Sequence, residues 1–301
     1  MIKSFKMTEG LQVQKRELEV AHSPDADDIF MYYAIKLGWV NSDMINFKNV
    51  ALDIETLNKE ALKNSYDITA ISFALYPKIK DEYALLKTAV SFGEGYGPKL
   101  IKKRDKKLKR NFKVALSGEN TTNALLFKVA YPDARVVYKN FLDIERAVLD
   151  GEVDAGVLIH ESILNFDKEL AVERELWDIW LELAKKELPL PLGGMALRRS
   201  IPLNLAIESE EILTKAVKVA RENFKVLSKM LLERGVFRVD EETLKIYLDL
   251  YANDNSISLN EKQISATDKL FEIGYNAGFY SEKIECEDYF IPHRYKELRK
   301  S

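Results

Sequence analysis

Residues 112–162 read "FKVALSGENTTNALLFKVAYPDARVVYKNFLDIERAVLDGEVDAGVLIHES". Three short apolar runs, at 112–116, 135–138 and 155–159, alternate with segments of helical spacing at 123–130 and 141–150. A polar turn at 117–122 opens the first helix, and Gly151 stops the second. Short strands separated by single helices point to βαβ units and a parallel sheet. A parallel strand is covered on both faces, which accounts for runs as apolar as "AGVLI". That last strand then meets His160, Glu161 and Ser162, one of only three histidines in the chain sitting directly at a strand end.

The same pattern extends outward. Residues 18–21 form a strand that meets His22-Ser23-Pro24-Asp25, a helix-start signature, and a helix is expected over 26–37 with Gly38 as its stop. Strands are expected at 51–57 and 66–72, with a short polar helix at 58–64 between them. Gly93 to Gly97 is glycine-rich without opening a helix and reads as a flexible hinge approach. From Ser209, read as an N-cap, the chain is expected to be helical over 210–233, 241–251 and 261–277. The fold class is therefore α/β with largely parallel sheets, in two lobes with a ligand cleft between them. Residues 1–100 and 198–301 make one lobe and residues 101–197 the other.

The bulk composition suits this. A chain of 301 residues with 47% hydrophobic and 31% charged residues can bury a large core. Its net charge of -3 gives no general attraction for nucleic acid or an anionic membrane. The basic run 102–110 has no interleaved aromatics and reads as a solvated turn. The single cysteine, Cys286, excludes an internal disulfide framework. The first twenty residues hold no apolar signal core, and no window approaches a membrane span, so a cytoplasmic protein is expected. A homodimer is left open.

Polar side chains gather where the strands end: Ser23 to Asp28, Ser72, Ser117 to Thr122, and His160. Ligands of open α/β sheets bind at those ends. Asn120, Thr121 and Thr122 either cap a helix or present its N–H groups, its dipole and two hydroxyls to a carboxylate. The glycine fingerprints of dinucleotide and triphosphate sites are missing. Asp25, Asp27 and Asp28 complement a helix dipole or orient a ligand hydroxyl, and their spacing fits no calcium loop or zinc site. No metal is expected. His160 is either a strand-end cap or a general base, its ordinary pKa of about 6.5 suiting proton abstraction near neutrality. Ser162 sits in no nucleophile elbow. Trp177 and Trp180 either pack or wall an aromatic ligand, and Tyr247, Tyr251 and Asn253 follow a helical stripe towards the cleft. His22 and His293 receive no role.

The segments "HSPDADDIFMYYAI" (22–35), "YDITAISFALYP" (66–77), "GENTTNALL" (118–126), "GEVDAGVLIHES" (151–162) and "LPLPLGGMALRR" (188–199) resemble, in order and spacing, the 1,4-dihydroxy-6-naphthoate synthase family of the futalosine route to menaquinone. The chain looks more distantly like chorismate dehydratase of the same route. The resemblance implies the type II periplasmic-binding-protein-like fold used by a cytosolic lyase. It implies conversion of cyclic dehypoxanthine futalosine to 1,4-dihydroxy-6-naphthoate, with no cofactor and a small carboxylated substrate as the only partner. It carries the catalytic base onto His160 and substrate contacts onto Asp28, Ser72, Thr121 and Thr122, with Asn120 beside them. At the usual SPxPND motif this chain has Ser23-Pro24-Asp25-Ala26-Asp27-Asp28, with Ala26 for a proline and Asp27 for the asparagine. The dehydratase and a non-catalytic solute-binding protein of the same fold are the rival readings.

Overall fold

The structure, a computed structural model, describes residues 14–24, 26–235 and 240–292. Two β-sheets organise it. The strands are β1 (Arg16–His22), β2 (Ile45–Ala51), β3 (Ile68–Ser72), β4 (Tyr83–Leu85), β5 (Ser91–Gly93), β6 (Lys99–Lys103), β7 (Lys113–Leu116), β8 (Arg135–Tyr138), β9 (Ala155–Leu158), β10 (Leu170–Glu175) and β11 (Leu190–Arg198). The helices are α1 (Ala26–Lys36), α2 (Ile54–Ala61), α3 (Thr122–Ala130), α4 (Phe141–Leu149), α5 (Leu176–Ala184), α6 (Leu203–Glu222), α7 (Phe224–Glu233), α8 (Glu241–Tyr251) and α9 (Glu261–Asn276). The first sheet runs β2-β1-β3-β11-β4, with β5 also on β11, and the second runs β10-β6-β9-β7-β8.

The sheets are mixed rather than largely parallel. β1, β2 and β3 pair in parallel, as do β7 with β8 and β9. β11 runs antiparallel to β3, β4 and β5, and β6 runs antiparallel to β9 and β10. The chain crosses between sheets twice, at 94–98 and at 185–189, and the glycine-rich stretch is the first of these connections. The stretch up to 197, assigned to the second lobe by the sequence, therefore returns to the first sheet already at Leu190. Its two prolines and two glycines disguise a strand, because Pro191 sits where the register with β5 shifts.

Three other elements differ from expectation. The strand expected at 51–57 ends at Ala51, because Asp53 caps α2, its carboxylate accepting the Thr56 N–H at 3.1 Å. The long C-terminal helix breaks at Asn223 into α6 and α7. Ser209 is no cap: it lies inside α6, and its hydroxyl donates to the Leu205 carbonyl at 2.7 Å. The βα units at 112–159 stand as read. There the fully buried Val114, Ala115, Leu116 and Ala155 form strands, and α4 turns Ile144, Ala147 and Val148 inward. One apolar cluster runs from Ile71 and Phe73 of the first sheet's layer through Leu100, Val114 and Val157 of the second, so the two sheets share a core below their carboxyl ends.

No helix among the described residues is long and apolar enough to cross a membrane. The basic run is locally spent: Lys102 pairs with Glu173 at 2.7 Å, Lys106 with Asp154 at 2.5 Å and Arg110 with Asp133 at 2.5 Å. Asp25 and His293 lie outside the described residues, as do the side chains of Asp27 and Tyr251.

Candidate active site

A cavity of about 730 Å³ opens where the carboxyl ends of β1, β3, β7 and β9 meet. Ser23, Asp28, Ser72, Thr121, Thr122 and His160 all line it. Ile54, Ile71, Ile159 and Leu192 give it apolar walls. Two equivalent βα turns, β1 into α1 and β7 into α3, bring two helix starts to one space, where their N-terminal dipole ends face whatever fills it.

Thr121 caps α3: its hydroxyl accepts the Ala124 N–H at 3.2 Å and donates to the Gly118 carbonyl at 3.1 Å. The Thr122 hydroxyl accepts the Ala74 N–H at 3.3 Å and donates to the Leu192 carbonyl at 3.1 Å, fastening this helix start to the first sheet. Both hydroxyls are thus engaged with the protein, which corrects the expectation that they meet a carboxylate themselves. What remains for an anion is the first turn of backbone N–H groups, which have no acceptor inside a helix.

Ser72 is held by Asn58. Its N–H donates to Asn58 Oδ1 at 2.9 Å, and its hydroxyl oxygen accepts from Asn58 Nδ2 at 3.0 Å. A hydroxyl that accepts in this way keeps its own hydrogen to donate into the cavity. Asp28 accepts the Ser23 N–H at 2.8 Å, which closes the turn into α1.

His160 follows β9 and starts a single 3₁₀ turn, His160–Ile163, with φ at +55°, in the left-handed region that non-glycine residues rarely occupy. Its ring packs edge-on against Phe141 at 5.1 Å. The ring is therefore half-buried, presented to the cavity rather than folded among the aliphatic side chains of the strand. Ser162 hydrogen-bonds back to the Ile159 carbonyl. Behind the site, Tyr32 packs on the His22 ring, and burial pushes its hydroxyl up to about 12.

Asn120 is not in the lining. Its N–H and its amide both donate to the Glu55 carboxylate, at 3.1 and 3.3 Å, and its amide oxygen accepts from Lys78 at 3.4 Å. The buried Glu55 belongs to α2, beside the first sheet, so this contact joins the two sides of the cavity. Gly118 is required for it, because a β-carbon there would collide with the same carboxylate. The tryptophans pack: Trp180 is fully buried with its Nε1–H donating to the Leu188 carbonyl at 2.7 Å, and neither ring lines the cavity. Tyr247 does line it, and Asn253 does not. Sequence reasoning missed Asn58, Ser91 and Asn123; of these only Asn123, next to two recognised helix-start residues, carried a local signal. No group of three or more His, Cys, Asp or Glu side chains among the described residues could hold a metal ion.

A family described as menaquinone biosynthesis matches residues 18–276. The 1,4-dihydroxy-6-naphthoate synthase of Thermus thermophilus is 28% identical over 257 residues, covering 84% of this chain and 92% of the relative. That of Streptomyces coelicolor is 27% identical over 259 residues, covering 83% and 89%. Among solved structures, a protein from Archaeoglobus fulgidus superposes with a TM-score of 0.80 at 36% identity, covering 87% of this chain and 98% of that one. The periplasmic aliphatic sulphonate binding protein of Escherichia coli, at 12% identity, superposes with a TM-score of 0.63 over 92% of each chain. The latter likeness places the architecture among periplasmic-binding-protein folds.

Proposed function

The chain belongs to the menaquinone-biosynthesis family, and from that premise we propose that it converts cyclic dehypoxanthine futalosine to 1,4-dihydroxy-6-naphthoate with His160 as general base. An enzyme of menaquinone biosynthesis is what its relatives' names indicate. The finer reading is carried by one observation: an imidazole, a serine hydroxyl and the start of α3 converge on a single cavity with apolar walls.

The substrate is a carboxylated bicycle joined to a ribose-derived ring. Its carboxylate is taken by the N–H groups at the start of α3, whose dipole favours a negative charge there. The hydroxyl of Ser72 donates to a second acceptor on the ligand. His160 removes the proton whose loss starts the cleavage, and formation of the aromatic ring drives it forward. The apolar walls exclude water, which strengthens each polar contact inside. In this reading the two sheets are the cores of two lobes. The first is built from residues before 99 and after 189, the second from those between, and the contacts of Glu55 and Thr122 hold them together across the cavity.

The test is turnover by purified protein, followed by naphthoate absorbance and mass, with chorismate as the control substrate. His160→Asn is the variant of choice, because asparagine tolerates a positive φ and the backbone can stay in place. Turnover should fall by about 10²–10⁴-fold, the usual worth of a general base, while substrate still binds. Unchanged turnover removes His160 from the mechanism, and absence of naphthoate with the unaltered protein removes the assigned reaction.

A further inference from the structure

Asn123, the second residue of α3, lines the cavity with only 9% of its surface exposed. Its amide oxygen Oδ1 is buried and has no donor among the described residues. Native proteins seldom leave such an atom unpaired, since it has given up water for nothing. The neighbouring hydroxyls do not supply its partner: Thr121 gives its hydrogen to Gly118 and Thr122 gives its own to Leu192. A ligand carboxylate at the helix start cannot do so either, because an ionised carboxylate has only acceptors. The missing partner is an O–H or N–H of the ligand, close to the group held by the α3 N–H donors.

We infer that Asn123 is a specificity-determining residue, selecting acids that carry a hydroxyl beside the anionic group, and that in the proposed reaction it accepts a hydrogen bond from a hydroxyl of the sugar-derived ring. This second statement rests on the function proposed above. A site with a buried acceptor rejects the ligand lacking the matching donor far more strongly than an apolar pocket rejects an added group. The inference therefore separates the substrate from plain aromatic acids of the same size and charge.

The experiment has two arms, each run on the unaltered protein, Asn123→Ala and Asn123→Ser, with thermal melts to confirm folding. In the first, KM for cyclic dehypoxanthine futalosine is compared with Kd for 2-naphthoate, which offers the carboxylate and bicycle without a hydroxyl. Both variants should raise KM about tenfold or more and leave the 2-naphthoate Kd within about twofold. In the second arm, mandelate is compared with phenylacetate by calorimetry, so that no turnover is needed. The unaltered protein should prefer mandelate, and both variants should lose the preference. Equal weakening of hydroxylated and plain acids, or no preference for mandelate at the outset, overturns the inference. Lack of naphthoate production by the unaltered protein, with the mandelate preference present and Asn123-dependent, overturns the reaction and the sugar-ring contact but supports the selection of hydroxy acids.

Discussion

Asn58→Ala removes the support of Ser72, and its cost can be worked from the geometry. The fully buried Asn58 amide makes two hydrogen bonds to one residue, at 2.9 and 3.0 Å. Losing both costs about 1 kcal/mol each in net stability, and leaving the Ser72 N–H buried without an acceptor adds about 1–2 kcal/mol. The total is about 3–4 kcal/mol, or a fall in Tm of about 6–8 °C at roughly 2 °C per kcal/mol for a chain of this size. Ser72→Ala, by contrast, leaves the backbone bond intact and costs about 1–2 kcal/mol. The hydroxyl–amide bond is counted in both single variants, so the double variant should lose about 1 kcal/mol less than their sum. Urea denaturation of all four proteins measures the cycle. Additivity within about 0.3 kcal/mol would refute the idea that Asn58 orients the Ser72 hydroxyl. In turnover, Asn58→Ala should approach the defect of Ser72→Ala, because a freely rotating hydroxyl donates poorly.

His160→Gly relieves the left-handed backbone strain at φ +55° while losing about as much through added freedom in the unfolded chain. Its Tm should stay within about 2 °C of the unaltered protein while turnover is lost, as calorimetry and product assay would report. Gly118→Ala drives the Glu55 carboxylate from its seat on the Asn120 N–H; a loss of about 1–3 kcal/mol in urea is expected, and Glu55→Gln should be milder because it retains an acceptor. Asp154 accepts from Lys106 at 2.5 Å and from the Lys113 N–H at 2.8 Å, and these bonds hold its carboxyl below the usual range. A lowered folded-state value stabilises above the unfolded pKa of about 3.9 and is lost as pH falls through it. Asp154→Asn should therefore lower Tm at pH 7, and the difference should close in melts at about pH 3.

What could be read in the chain is what local rules write. The strands at 112–116, 135–138 and 155–159 announce themselves by short apolar runs, and Thr121 by its position ahead of a helix. Convergence of strand ends then places Asp28, Ser72 and His160 on one cavity without any knowledge of distances. What could not be read depends on partners far along the chain. Asn58 matters because of Ser72, fourteen residues on, and Asn120 turns away because Glu55, sixty-five residues back, takes its N–H. Nothing local tells an asparagine that caps from one that braces. β11 hides for a different reason: its prolines and glycines read as turn residues until the register shift against β5, and the close approach of Gly194 to the Phe73 ring, give them a purpose.

The return of β11 has a bearing on how the chain is made. The second sheet is complete in backbone pairing once Glu175 has been synthesised, since its strands are contiguous from Lys99 onward. The first lacks its central partner until Arg198 emerges, so β3 and β4 wait with unsatisfied edges through roughly a hundred residues of translation. Vectorial synthesis thus favours ripening of the inserted half before the half that starts the polypeptide, and the strand that seals the latter also supplies, at Leu192, the acceptor for Thr122. The catalytic chamber is finished in the same act that ends the aggregation hazard of an open edge.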